Sequence, residues 1–102
     1  DCMKKILLCC AAGMSTSLLV NKMKAVADER GLEIEIWAEP LEKIKKEIEN
    51  ADILLLGPQV RYALEDLKPL CEQNNIPLEV INMIDYGMTN GAKILDQALD
   101  LI

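Results

Sequence analysis

Residues Ile53–Leu56 form an uninterrupted apolar run, which Gly57 and Pro58 bring to a stop. A strand with one face in water alternates apolar and polar side chains, whereas a continuous run is typical of a parallel strand covered on both faces. Because helices normally provide that cover, the run favours an α/β fold in which this strand lies inside the sheet.

Further strands and helices are predicted on both sides of this run. Alternating or apolar residues indicate strands at residues 4–9, 33–38 and 77–81. Apolar residues at helical spacing indicate helices at residues 17–30, 41–48, 60–67 and 90–102. We expect Gly31 and Asn90 to cap helices, Pro69 to break the third helix or to begin a new turn, and residues 82–91 to form a loop.

This alternation of strand and helix predicts one small flavodoxin-like domain over residues 1–102. It is expected to be a three-layer α/β sandwich, with a four-stranded parallel sheet in the order 2-1-3-4 and helices on both faces. Asp1 and Cys2 precede a Met-Lys-Lys start that would serve as a natural N-terminus. We therefore expect these two residues to be additions to the native chain.

Composition excludes several functions. The 102 residues carry a net charge of −6, and no Lys/Arg cluster lies beside aromatic residues, which argues against a nucleic-acid partner. No apolar stretch approaches the roughly 20 residues of a membrane span, so we expect a soluble, cytoplasmic protein without membrane insertion. The chain has no histidine and its four cysteines lack zinc-site spacing, so no metal or cofactor is expected.

The residues after the first strand carry the clearest chemistry. Cys10 is followed by Ala11, Ala12, Gly13, Met14, Ser15, Thr16 and Ser17, and then by an apolar helical stripe. Unpaired N–H groups and the dipole at a helix N-terminus favour a thiolate and a phosphate, while small residues admit an anion and hydroxyls donate to it. We therefore predict a phosphocysteine at Cys10, bound by residues 11–17.

The remaining cysteines and two loop residues receive other predictions. Neighbouring strand residues face opposite sides, so Cys9 is predicted to lie in the core, and Cys71 is predicted to pack as a small hydrophobe. In a sheet of this order, ligands bind where connections change direction, between strands one and three. That geometry places Gln59 and Tyr86 at the rim of the Cys10 site or on a docking surface.

These segments resemble the IIB components of the bacterial phosphoenolpyruvate-dependent sugar phosphotransferase system, of the lactose/cellobiose/diacetylchitobiose class. The resemblance covers the loop around Cys10, the segment from Asp52 to Val60, and Tyr86-Gly87, in order and spacing over nearly the whole chain. It implies a phosphotransferase in which a phosphohistidine of the IIA protein donates to Cys10. Phospho-Cys10 would then donate to a disaccharide of cellobiose, chitobiose or lactose type, bound to the membrane component IIC. Exposed Met14, Val60 and Met88 are candidate contacts with IIA.

Three alternatives use the same residues differently. Low-molecular-weight tyrosine phosphatases also place a thiol loop after the first strand, but they need arginine where this chain has Thr16. A thiol redox protein needs a resolving cysteine, and no C-x-x-C pair is present. A purely structural interaction module would leave the hydroxyl-rich loop without a function.

Overall fold

The computed structural model describes residues 3–10 and 16–102, without the side chains of residues 10, 16 and 17. Its strands are β1 (Lys4–Cys10), β2 (Ile34–Pro40), β3 (Ile53–Leu56) and β4 (Leu78–Val80). Its α-helices are α1 (Thr16–Glu29), α2 (Ile44–Glu47), α3 (Leu64–Gln73), α4 (Met83–Gly87) and α5 (Gly91–Leu99). Short 3-10 turns at Leu41–Lys43, Ile48–Asn50 and Pro58–Ala63 flank α2 and precede α3.

The four described strands form one parallel sheet in the order β2-β1-β3-β4. Leu7 of β1 is in register with Trp37 of β2 on one side and with Leu54 of β3 on the other. The predicted fold class and strand order are confirmed. The edge position of β2 explains its alternation, since one of its faces is only partly covered.

Two apolar cores lie on opposite faces of this sheet. Alternate residues of the central strands point to opposite sides, so Leu8 belongs to the core under α1 and α5, whereas Leu7 belongs to the core under α2 and α3. All four residues of β3 are fully buried, which agrees with the prediction that the apolar run Ile53–Leu56 lies inside the sheet. Cys9 and Cys71 both lie in the second core, which confirms their prediction as core residues.

Two caps follow the sequence signals. Gly31 has a φ of +69°, the left-handed conformation that ends a helix and that glycine adopts without strain. Asn90 accepts a hydrogen bond at Oδ1 from the N–H of Lys93, at 3.2 Å, and so caps α5. Within the described residues, no helix combines the length and the apolar character needed to cross a membrane.

The prediction of a helix break at Pro69 is wrong, because α3 continues through it. Pro69 has no N–H to donate to the carbonyl of Glu65, and both residues are exposed, so water can solvate that carbonyl. The helix instead changes geometry earlier: residues 58–63 form a 3-10 turn in which Val60 has non-helical angles.

The prediction of a loop over residues 82–91 is also corrected, because α4 lies within it. Asn82 Oδ1 accepts hydrogen bonds from the N–H groups of Ile84, at 2.9 Å, and Asp85, at 3.1 Å. These two bonds satisfy donors that a five-residue helix leaves unpaired. The segment is therefore ordered by its own cap.

Candidate functional site

The end of β1 lies at the point where the chain connections diverge. Cys10 is the last residue of β1 and is in register with Pro40, the last residue of β2. On the other side, the N–H of Gly57 donates to the carbonyl of Cys9 at 2.9 Å, which joins the exit of β3 to the exit of β1. The carboxyl ends of the strands thus place the Cys10 backbone at the switch point, where α/β sheets bind ligands.

Gly57 is surrounded by three other segments. A Cβ atom on Gly57 would lie 3.2 Å from Gln59 Oε1, 3.5 Å from the Cys9 carbonyl oxygen and 3.6 Å from Tyr86 Cε1. Its φ of −64° and ψ of 150° suit any residue, so a side chain here would be limited by the nearby Gln59 oxygen and not by the backbone conformation. The missing side chain lets Gln59 and Tyr86 approach the end of β1.

Tyr86 is positioned by the connection after β4. Ile81 donates its N–H to the Leu56 carbonyl at 2.8 Å, and Tyr86 donates its N–H to the Asn82 carbonyl at 2.9 Å. Tyr86 is partly buried against the core under α1 and α5. Its ring therefore reaches Gly57 from a turn that is fixed both by the sheet and by the Asn82 cap.

Gln59 approaches from the opposite side and is exposed. It lies in the 3-10 turn after β3, which is closed by a 3.0 Å hydrogen bond from the Val60 N–H to the Gly57 carbonyl. The structure thus brings Gln59 and Tyr86 close to Gly57, next to the end of β1, and their place at the rim of the Cys10 site stays a prediction. Ala11, Ala12, Gly13, Met14 and Ser15 lie outside the described residues, as do the side chains of Cys10, Thr16 and Ser17.

Of the residues predicted as exposed contacts with IIA, Val60 is buried and Met88 is exposed. Val60 is fully buried, so its prediction as an exposed docking contact is wrong: it packs in the core under α2 and α3. Met88 is 68% exposed, as predicted. Met83 and Ile84 are also exposed, but the sequence did not single them out. Two adjacent apolar residues in a predicted loop show no helical or strand periodicity. Asn82, just before this pair, could have indicated that a helix begins here, because asparagine is a preferred N-cap residue.

The titratable groups with shifted pKa values lie away from the strand ends. Burial raises the pKa of the Cys71 thiol, because an apolar environment disfavours the thiolate. The Arg30 guanidinium donates to Asp96 at 2.6 Å, and this hydrogen bond raises the pKa of Arg30. That ion pair joins α1 to α5. Among the described residues, no group of three His, Cys, Asp or Glu side chains is arranged to hold a metal ion.

The fold is that of the flavodoxin-like α/β proteins, which bind ligands beyond the carboxyl ends of their strands, and Cys10 ends β1 at this edge of the sheet. Residues 5–97 match the family described as "PTS system, Lactose/Cellobiose specific IIB subunit". The chain belongs to this family, whose members are phosphotransferases acting with the IIA and IIC components of the same system.

Individual relatives agree over almost their full length. The chain is 50% identical over 100 residues to the oligo-beta-mannoside-specific EIIB component of Bacillus subtilis (strain 168), covering 98% of this chain and 97% of the relative. It is 43% identical over 104 residues to the galactose-specific EIIB component of Lactococcus lactis subsp. cremoris (strain MG1363), covering 97% and 96%.

Solved structures support the fold. The cellobiose-specific IIB component of Borrelia burgdorferi superposes with a TM-score of 0.83 at 36% identity, covering 99% of this chain and 93% of that one. The lactose-specific IIB domain of Streptococcus pneumoniae superposes with a TM-score of 0.89 at 20% identity, covering 98% of each chain. At that identity, the second similarity concerns the fold alone.

Proposed function

We propose that this protein is a cytoplasmic phosphoryl carrier that holds the phosphoryl group on the thiol of Cys10. A phosphohistidine of the IIA protein is the donor, and a sugar bound to the membrane component IIC is the acceptor. The observation that carries the proposal is the position of Cys10 as the last residue of β1, at the switch point, with α1 beginning at Thr16.

The chemistry consists of two in-line displacements. In the first, the Cys10 thiolate attacks phosphorus, the S–P bond forms, the P–N bond to the donor histidine breaks, and the imidazole takes up a proton as it leaves. In the second, a sugar hydroxyl attacks the same phosphorus, the O–P bond forms, the S–P bond breaks, and the hydroxyl proton is released. The thiolate is regenerated for the next cycle.

Residues 11–17 are proposed to hold the phosphoryl oxygens. Ala11, Ala12, Gly13 and Met14 would supply backbone N–H groups, while Ser15, Thr16 and Ser17 would add hydroxyl donors. Gln59 and Tyr86 would form the rim opposite this loop. Support for the rim comes from the close approach of both side chains to Gly57, which is bonded to Cys9.

The proposed sugar is a β-linked disaccharide of cellobiose, chitobiose or lactose type. Support comes from the family description and from relatives whose printed specificities are for oligo-β-mannoside and cellobiose. A relative named for galactose shows that similar sequences serve more than one sugar. An assay of the acceptor step therefore needs a panel of β-linked disaccharides together with galactose.

The proposal is tested by intact mass spectrometry. Wild type, Cys9→Ser and Cys10→Ser are incubated with phosphoenolpyruvate, the general phosphotransferase proteins and a matching IIA. One added phosphoryl group is expected in wild type and in Cys9→Ser, because Cys9 is buried in the core, and none is expected in Cys10→Ser.

An aryl phosphate assay is run beside it, since a phosphatase is the main alternative. Without an arginine at Thr16, the loop lacks the bidentate guanidinium that holds a phosphoryl group for hydrolysis, so negligible turnover is expected. Cys10-dependent hydrolysis without a stable adduct, obtained with several IIA donors, would overturn the carrier proposal.

A further inference from the structure

Three large apolar side chains are exposed on one short segment beside the strand ends. Met83 is 64% exposed, Ile84 70% and Met88 68%, and all three lie on or directly after α4. We call these three residues the α4 patch. Tyr86, from the same helix, turns inward to the core, so the patch occupies the outer face of α4. Clustered exposed apolar residues of this kind mark interaction sites.

The patch lies beside the proposed reaction centre. Tyr86 Cε1 is 3.6 Å from the position a Cβ atom would take on Gly57, and Gly57 is hydrogen-bonded to the Cys9 carbonyl. A protein interface of standard size covers about 800 Å² of each partner, a circle of roughly 16 Å radius. A protein docked over the end of β1 can therefore reach α4 within one interface of ordinary size.

Two lysines lie on the α1 and α5 side of the patch. A Cβ atom on Gly91 would lie 2.9 Å from the Lys22 carbonyl carbon, so the start of α5 abuts α1 at Lys22. Met88 lies shortly before Gly91 in the sequence, and Lys93 lies shortly after it, in the first turn of α5. Both lysines are exposed, and neither forms an ion pair with the described part of the chain. We call Lys22 and Lys93 the lysine rim.

We infer that the α4 patch and the lysine rim together dock the phosphoryl donor protein, through an apolar patch of that protein edged by carboxylates. This inference rests on the proposed function and specifies which of its two partners uses this surface. The protein has a net charge of −6, so a cationic rim is a local exception to an acidic surface and selects an acidic partner.

The positive charge of the lysine rim is the reason for assigning this surface to the donor protein. Cytoplasmic loops of membrane proteins carry an excess of lysine and arginine, so the membrane acceptor presents positive charge on the side from which phospho-Cys10 approaches. Lys22 and Lys93 would be repelled by that surface. Both lysines would attract the carboxylates of the donor protein. Charges at the rim of an interface act mainly on the rate of association.

The apolar contribution is tested with two triple variants. The first replaces Met83, Ile84 and Met88 with serine. The matched control replaces three exposed apolar residues outside the patch, Met3, Leu32 and Leu101, which are 47%, 37% and 40% exposed. The KM for the phosphorylated donor is expected to rise about tenfold or more in the patch variant and to stay within about twofold in the control.

The charge contribution is tested with two double variants of equal net charge. Lys22→Glu with Lys93→Glu is expected to slow phosphorylation by the donor about fivefold at low salt and less than about twofold in ~0.5 M salt. The control, Lys45→Glu with Lys46→Glu on exposed positions of α2, is expected to react at the wild-type rate at equal salt. Transfer from pre-phosphorylated protein to sugar in membrane vesicles is not expected to be slowed by the lysine-rim substitutions, because they remove positive charge that a positively charged acceptor surface would repel.

Two results would overturn the inference: equal KM values for the patch variant and its control, or a lysine-rim variant that is slowed only in the vesicle step. Thermal melts of all four variants show whether each remains folded. Failure of wild type itself to become phosphorylated on Cys10 would instead refute the proposed function, so the two failures are distinguishable.

Discussion

At the scale of single residues, Gly57 is the point where the segments around the end of β1 approach one another. Gly57 leaves room for Gln59 from one side and Tyr86 from the other, and its N–H bonds to the chain next to Cys10. The Tyr86 atom nearest to the place of an added Gly57 Cβ atom is the ring carbon Cε1. The aromatic ring and the hydroxyl of Tyr86 can therefore be separated by mutation.

Tyr86→Phe is expected to retain at least about half of the wild-type phosphorylation rate, because the ring contact with Gly57 survives. Tyr86→Ala removes a partly buried ring and is expected to lower the free energy of unfolding by about 1–3 kcal/mol and to slow phosphorylation more strongly. Urea unfolding and mass-detected phosphorylation rates measure the two effects. A Phe variant as impaired as the Ala variant would mean that the hydroxyl is the essential group.

The buried thiol of Cys71 makes stability depend on alkaline pH. Its pKa is raised in the folded state, because burial favours the neutral thiol. Stability from this group is therefore fully present below the unfolded-state pKa of about 8.5 and is lost as pH rises through the folded-state pKa. In urea unfolding from pH 8 to 10, Cys71→Ala is expected to lose less stability than wild type. Identical slopes for the two proteins would contradict this account.

At the scale of elements, α1 and α5 are held by close backbone contact. A Cβ atom on Gly91 would lie 2.9 Å from both the Lys22 carbonyl carbon and the Met23 nitrogen, and backbone atoms cannot rotate away as a side chain can. The Arg30–Asp96 ion pair joins the same helices, but it is exposed, and solvent screening leaves such a pair little effect on stability. The glycine contact is the stronger constraint on how these helices pack.

Gly91→Ala is accordingly expected to destabilise the protein by about 1–3 kcal/mol, since α5 must move away from α1 to admit the methyl group. Gly87→Ala is the control, because nothing lies within 4 Å of its added Cβ and alanine favours a helix. Denaturant midpoints measure both. A Gly91→Ala variant as stable as the Gly87→Ala variant would show that the two helices can separate at little cost.

Elements also show how far the sequence predicts the structure. The apolar run of β3 and the caps at Gly31 and Asn90 are local signals, and each prediction was confirmed. The prediction at Pro69 was wrong because a proline is tolerated in a helix where water can solvate the carbonyl that it leaves unpaired. The sequence alone does not give that exposure. Residues 82–91 misled because α4 follows from one asparagine cap and from packing of Tyr86. The close approach of Gln59 and Tyr86 at Gly57 depends on tertiary distances, so only their common edge of the sheet was predictable.

At the scale of the whole molecule, two cores share one sheet. The same central strands supply Leu8 to one core and Leu7 to the other. If these strands come apart, both cores lose their side chains at once. The Cα radius of gyration of 12.4 Å agrees with the roughly 13 Å expected of a compact domain of this length. Unfolding of both cores as one cooperative unit is the physical consequence.

Leu7→Ala and Leu8→Ala, each at a fully buried position, are expected to destabilise by about 2–5 kcal/mol with one transition in each case. The single tryptophan, Trp37, packs against the core under α2 and α3, so its fluorescence reports that core, while circular dichroism reports all helices. The two signals should have the same urea midpoint. Separate midpoints would show that the cores unfold independently.

The contact between α1 and α5 has a consequence for the protein during its synthesis. A ribosome completes Cys10, α1 and all four strands before it adds α5, at about 5–20 residues per second. Until then, the core over α1 is open and the surface shared by Lys22 and Lys93 does not exist. A nascent chain therefore carries its thiol before the docking face that we propose for the donor is complete.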